Sequence, residues 1–283
     1  MNIPALLKAL ARIKADVEAA IKTASFDGRA CDNGQKAKEA LIRSSRLIFQ
    51  IHEVTKESLD KVLRSRNVPY AIHPPLGSSS PELPITGFIK KKKQDIVVLI
   101  RNTRLQREIV ADGPLKGTND EVGRAASETS IVIGVRSQLS SVAKNFDTLM
   151  ERAFAETLNL RLRIPNLVMG EVYLLPLVEY EDDAMISNRV AFKRQPVGLE
   201  KFIRTFAGIS GRQPEETGDF YKYERTALII ADFQQNPPKV CLTAPDLERA
   251  GVSHDMANRY QMLSPKGFSA DIINAHSLRH GLE

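Results

Sequence analysis

A chain of 283 residues, 42% apolar and 26% charged, can bury a sizeable core and is neither a disulfide-stapled miniprotein nor a disordered tail. Its 40 Lys and Arg against 34 Asp and Glu leave a formal charge of +6, which favours a polyanionic partner without demanding one. Two cysteines, Cys31 and Cys241, exclude a disulfide framework and a four-cysteine zinc site. With no apolar run of ~18 residues and no signal-peptide pattern, the expectation is a soluble, cytoplasmic protein without membrane contact.

Residues 4 to 24 space Leu6, Leu10, Ile13, Val17 and Ala20 or Ile21 three to four apart, which predicts an amphipathic helix. After the breakers Phe26-Asp27-Gly28 and Asp32-Asn33-Gly34, a second helical pattern runs from about Lys36 to Arg64 through Leu41, Ile48, Ile51, Leu59 and Val62. These helices either cover a core or mediate dimerisation, or else contact DNA. Residues 69 to 84 (PYAIHPPLGSSSPELP) read as a linker or surface loop, because their prolines sustain neither a helix nor an inner strand.

Four short apolar runs follow, over residues 95 to 101, 131 to 137, 171 to 179 and 226 to 232, and suit strands buried on both faces. Helical patterns at Leu139 to Leu160 and Leu199 to Ile209 separate them. The order predicts an α/β fold with a mixed central sheet flanked by helices. Pro176 inside the third run argues for an edge or a bulge there, and the tail after Asn236-Pro237-Pro238 is weakly patterned. The expected organisation is a helical region over residues 1 to 68, a Pro/Ser-rich linker over 69 to 84 and a third unit over 85 to 283.

Two segments concentrate the chemistry. In Lys90-Lys91-Lys92-Lys93-Gln94-Asp95, four lysines run into an acid at the mouth of an apolar strand. A solvated loop is one reading; a metal ligand beside phosphate contacts is the other. The second segment, Ile131 to Thr157, is a strand ending in Arg136-Ser137-Gln138 that turns into a helix carrying Lys144, Asn145, Asp147, Glu151, Arg152 and Glu156. Asp147 and Glu151 share a helix face, although Ser140 or Ser141 as a helix cap and Glu151 as partner of a nearby base are ordinary structural roles. Arg189, Lys193, Arg194, Lys201, Arg204 and Arg212 form either a backbone-contacting surface or a solvated helix face. Glu179, Glu181, Asp182 and Asp183 suit a solvated turn better than a cation site. No Gly-rich phosphate loop, Gly-x-Ser-x-Gly elbow or His-Glu-x-x-His is present, and the five histidines are scattered.

Together the two segments resemble the XhoI-type restriction endonucleases, within the PD-(D/E)xK nuclease fold, over roughly residues 83 to 235. Leu83 to Leu99 (LPITGFIKKKKQDIVVL) is similar to the family's basic lead-in and the strand that opens on a metal-binding aspartate, with Asp95 in that place. Gly134-Val135-Arg136-Ser137-Gln138, then Ser140-Ser141, Lys144-Asn145 and Glu151-Arg152, is similar to the family's Glu-any-Lys-Ser-Gln strand, its turn and its helix. Two positions depart. Gly134 stands where the family has its second carboxylate, and Arg136 where it has lysine. An arginine, with a pKa above about 12, stabilises a phosphorane but is a poor acceptor of a proton from water. Either the second carboxylate comes from elsewhere in the chain or the site is inactive. Glu151, on the helix expected to pack against the strand, is the expected replacement, with Glu128, Glu171 and the Glu179 to Asp183 cluster as rivals.

The resemblance implies a type II restriction endonuclease: a homodimer that hydrolyses phosphodiesters of double-stranded DNA at a specific sequence, with Mg²⁺ as cofactor, Mn²⁺ able to substitute, and a companion DNA methyltransferase. Asp95, Glu151 and the Val135 carbonyl would hold the metal, Arg136 would stabilise the transition state and Gln138 would orient water or a phosphate oxygen. Lys91, Lys92, Lys93, Lys144, Asn145, Arg189, Lys193 and Arg194 would contact DNA. The alternatives are a modification-dependent endonuclease that reads bases with its amino-terminal helices, and a catalytically inactive nuclease-fold protein for DNA binding or assembly.

Overall fold

The structure, a computed structural model, describes residues 1–101, 103–214 and 218–281. Helices α1 (Ile3–Thr23), α2 (Gly34–Arg43) and α3 (Arg46–Ser65) come first. Strand β1 (Tyr70–His73), a hairpin of β2 (Pro84–Thr86) and β3 (Lys91–Lys93), and strands β4 (Ile96–Ile100) and β5 (Ser130–Ser137) follow. Helix α4 (Phe146–Arg161), β6 (Val168–Pro176), helix α5 (Leu199–Gly208), β7 (Arg225–Asp232), β8 (Lys239–Val240) and helix α6 (Phe268–His280) complete the frame.

The strands form one six-stranded sheet in the order β8-β7-β6-β5-β4-β1. The central three are parallel, and β4, β1 and β8 each run antiparallel to their inner neighbour. This is the mixed sheet flanked by helices that the order of elements implies. Strands β4 and β6 are buried at every position, as continuous apolar runs require when both faces are covered.

One face carries α1 to α3 and α6. Leu6, Leu10, Ile13, Ile51 and Leu59 share a core with Ile96, Ile131, Ile133, Val172 and Ile229 of the sheet. Residues 1 to 68 are therefore one layer of the same core and are not set apart from the rest. Burying each such side chain contributes about 1.5–3 kcal/mol, so the sheet cannot dispense with this layer. The other face is covered by α4 and α5, where Phe146, Phe202 and Phe206 pack on Val97, Val132, Tyr173 and Ile230.

Three expectations need correction. The single helix over residues 36 to 64 breaks at Ser44-Ser45. The Ser44 hydroxyl donates to Leu41 O and accepts the Arg46 N–H, and Ser45 turns left-handed at φ 62°; serine offers the backbone this local alternative to helix. The expected linker contains β1, because Pro69 and Pro74 bar an inner strand but permit the four residues between them to form an edge. The weakly patterned tail folds into short helices whose Leu247, Tyr260, Phe268 and Ile272 are fully buried. Pro176 lies in a central strand but is its last residue. Among the described residues no helix is long and apolar enough to cross a membrane.

Candidate active site

Strand alternation decides which side chains share a face. Val97, Val132, Met169 and Tyr173 point to the α4 side, so Asp95, Gly134, Arg136 and Glu171, each an even number of residues away, belong to that side too. The parallel register sets Glu171 beside Gly134. One step beyond the last β4–β5 pair, Ile96 with Ile133, brings Asp95 level with Gly134 from the other direction. Two carboxylates from flanking strands thus converge over a residue that has no side chain. A Cβ on Gly134 would collide with Glu171 Oε2, so the Glu171 carboxylate fills the space that a side chain at 134 would take.

Asp95 is fixed by the backbone of Val135, whose N–H donates to Oδ2 at 2.8 Å. Alternate residues of β5 aim their backbone groups at opposite neighbours; Gln138 N–H goes to Leu174 O in β6, so Val135 N–H and C=O face β4. Since β4 starts at Ile96, the Asp95 side chain takes the N–H that would otherwise lack a ladder partner. His52 of α3 approaches the same place. Its Nε2 is buried just short of a well-formed hydrogen bond, and burial lowers its pKa while Asp95 and the Val135 backbone raise it and Lys56 lowers it further.

A chain of charges covers Glu171. Arg136 Nη1 donates to Glu171 Oε1 at 2.6 Å, and Nη2 pairs with Glu156 of α4. Lys92 Nζ meets the other Glu156 oxygen at 2.5 Å. Burial disfavours the Arg136 charge, yet Glu171, Tyr223 and Glu156 more than offset it and hold its pKa above the ordinary arginine value. Glu171 is 1% exposed and its Oε2 has no partner. Burial pushes its pKa from 4.5 to about 7; Arg136 and Lys92 oppose the rise, and the charges of Glu156 and Asp95 add to it.

An acid whose pKa is higher folded than unfolded binds more protons in the folded state. Its contribution to stability is full below about 4.5, declines as pH rises and is gone above about 7. The wild-type chain is accordingly expected to lose more thermal stability between pH 5 and pH 8 than Glu171→Gln does. Parallel melting profiles would show that Glu171 ionises like a solvated carboxylate.

The structure distributes the remaining expected residues differently. Glu151 is exposed on α4 and has no hydrogen-bond or ion-pair partner among the described residues. Glu156, five residues on and about 140° further round the helix, is the α4 carboxylate that reaches Arg136 and Lys92. Gln138 is not free to orient water. Its Nε2 donates to Ser141 O and Val142 O at 3.0 and 2.9 Å, and its Oε1 accepts from Tyr173 Oη at 3.1 Å, so it fastens the turn into α4. Replacing Gln138 by Met removes the donor to the buried Val142 carbonyl and unties the Ser141 carbonyl, which keeps the Asn145 N–H, and is expected to cost about 1–3 kcal/mol, read as a shifted urea midpoint; an unchanged midpoint would assign the turn's rigidity elsewhere.

The lysine run is strand β3, and alternation divides it. Lys91 and Lys93 are exposed, Lys91 pairing with Glu121 at 2.8 Å, while Lys92 turns inward. Lys144 and Asn145 stand exposed before α4, Asn145 on a cleft of about 350 Å³ shared with Arg152. Lys193 and Arg194 line a second cleft of about 420 Å³ with Glu179 and Ala143. Lys193 pairs with Glu179 and Asp182, whereas Arg189 and Arg194 are exposed. The acidic cluster is committed locally, with Glu181 capping Ala184 N at 2.6 Å and Glu179 accepting Val142 N at 3.2 Å.

Glu156, Tyr223 and His52 are the site residues that sequence reasoning gave no role in the site. Tyr223 is fully buried over Arg136, its hydroxyl donating to Ala153 O at 3.0 Å. The available signal for Glu171 was a lone charge inside an otherwise apolar run. Among the described residues no three of His, Cys, Asp and Glu come together as a metal cage, so Asp95 and Glu171 stand as a carboxylate pair. No protein-family model matches the chain, and neither a curated protein nor a solved structure matches it.

Proposed function

We propose that this chain is a Mg²⁺-dependent type II restriction endonuclease that hydrolyses DNA phosphodiesters at a specific sequence as a homodimer, in company with a protective DNA methyltransferase. The observation that carries the reading is the Glu171 carboxylate, buried in the space left by Gly134, level with Asp95, with one oxygen unpartnered. Three carboxylates, Asp95, Glu156 and Glu171, face two cations, Lys92 and Arg136, and the surplus negative charge contributes to the raised Glu171 pKa. A hard divalent cation fits that deficit.

Mg²⁺, or Mn²⁺ in its place, would be held by Asp95, Glu171 and the Val135 carbonyl, oxygen donors of the kind such ions take. When bound, it supplies Lewis acidity and a more acidic water. Arg136 fixes the Glu171 carboxylate through Oε1 and adds a permanent positive charge beside the reacting phosphate. Lys93, Lys144, Asn145, Arg189 and Arg194 supply exposed groups for phosphate oxygens. A two-fold dimer would present two such sites to the strands of a palindrome.

One observation favours a second reading. Arg136 already pairs with both Glu171 and Glu156, and so can balance their charge without a metal, as a non-catalytic DNA-binding protein of this fold would need. Incubating methylated and unmethylated plasmid with Mg²⁺, Mn²⁺ or EDTA, for the wild type and Asp95→Asn, separates the two. Discrete fragments that require both the metal and Asp95 support the endonuclease. Retention of DNA without cleavage under any ion selects the second reading, and neither binding nor cleavage rejects both.

A further inference from the structure

We propose that Lys92, delivered by the β2–β3 hairpin, is the lysine that touches the phosphate being cut, in place of the one missing at position 136; the inference rests on the endonuclease reading above. Lys92 is held, not solvated at random. Its hairpin is pinned at the tip by Asn159 of α4, whose Oδ1 accepts the N–H groups of Ile89 and Lys90 at 2.9 and 3.1 Å and whose Nδ2 donates to Lys90 O at 3.1 Å. At the base, Gln94 N–H donates to Leu83 O at 3.0 Å, and Ile85 is fully buried. Alternation along this strand then turns Lys92 alone of the three β3 lysines towards Glu156 and Glu171.

Donor counting separates Lys92 from Arg136. Arg136 is gripped between two carboxylates and its side chain is 18% exposed. Lys92 is 35% exposed and gives one of its three ammonium hydrogens to Glu156. The others are available to a non-bridging phosphate oxygen arriving from solvent. Glu156 is then a positioning residue, holding Lys92 through Oε1 and Arg136 through Oε2. On this assignment both groups absent from β5 come from its neighbours, the carboxylate from β6 and the lysine from the hairpin.

The test is single-turnover cleavage of plasmid DNA with Mg²⁺, with affinity measured separately in Ca²⁺ and folding checked by thermal melting. Lys92→Ala is expected to slow cleavage of bound DNA by about 100-fold or more, with the dissociation constant changed by no more than about threefold. Lys92→Gln keeps most of the side chain and a hydrogen-bonding end without the charge, and is read in the same way if Lys92→Ala does not fold. The double variant Lys92→Ala with Glu156→Gln is expected to remain as slow as Lys92→Ala. Recovery of the double variant to the rate of Glu156→Gln would make Lys92 only a charge partner and overturn the proposal. So would bound DNA cut at the wild-type rate by Lys92→Ala. A wild-type chain that cuts nothing overturns the endonuclease reading and this inference together, whereas normal cleavage by the variant overturns the inference alone.

Discussion

Glu171→Gln is expected to reduce Mg²⁺-supported cleavage by at least about 10³-fold, the consequence of losing several kcal/mol of metal-mediated stabilisation, while leaving DNA affinity nearly unchanged. The substitution preserves the shape of the side chain and an oxygen for Arg136, which keeps Glu156 as its second partner. It also removes a carboxylate that burial holds near neutrality. The folded state is therefore expected to shift by less than about 2 kcal/mol at neutral pH. Glu151→Gln is expected to cut at close to the wild-type rate, because its exposed side chain has no partner among the described residues. Full activity in Glu171→Gln together with a collapse in Glu151→Gln would return the second carboxylate to the helix.

The reciprocal experiment moves the carboxylate back. Gly134→Glu alone is expected to destabilise the fold by about 3–5 kcal/mol, since the new side chain overpacks the Glu171 carboxylate and forces two like charges into one buried space. Combining it with Glu171→Ala empties that space and leaves a single carboxylate opposite Asp95. The double variant is expected to regain most of the lost stability and to cleave at least about tenfold faster than either single variant. Melting temperatures and initial rates of the four chains check this. Additive losses would show that residues 134 and 171 do not share a site.

Periodicity made the layers legible. The stripe from Leu6 to Ile21 is buried as its spacing requires, and the four apolar runs are the four longest strands of the sheet. It did not orient α4, whose apolar residues lie on several sides, with Phe154 left exposed. Without a defined stripe, Glu151 and Glu156 are indistinguishable as inward-facing acids. Glu171 needed a different kind of information, because it reaches Gly134 by lateral register between two strands whose matched positions lie 37 residues apart in the sequence. Such register depends on how the strands pack and leaves no mark in either segment. The motifs pointed directly at Asp95, one residue before β4, and at Arg136 within β5, whereas the departure at 134 gave no pointer to the carboxylate packed against it. The Ser44-Ser45 break spans too few residues to interrupt the apolar spacing, and the first helices of the tail, six residues each, provide too few turns for a periodic signal.

The two faces of the sheet should also answer differently to mutation and selection. On the side of α1, α2 and α6, substitutions alter only how much intact protein a cell contains, so lowered growth temperature or an unrelated stabilising change should suppress them. On the side of Asp95 and Glu171, substitutions that leave the chain intact should resist both remedies. On the endonuclease reading, a library of random variants screened at two temperatures would thus map the face proposed to do the chemistry. His52 stands at the margin, on a helix of the supporting layer but within reach of the Asp95 charge. Its position in that map would show how far the supporting layer takes part in the proposed reaction.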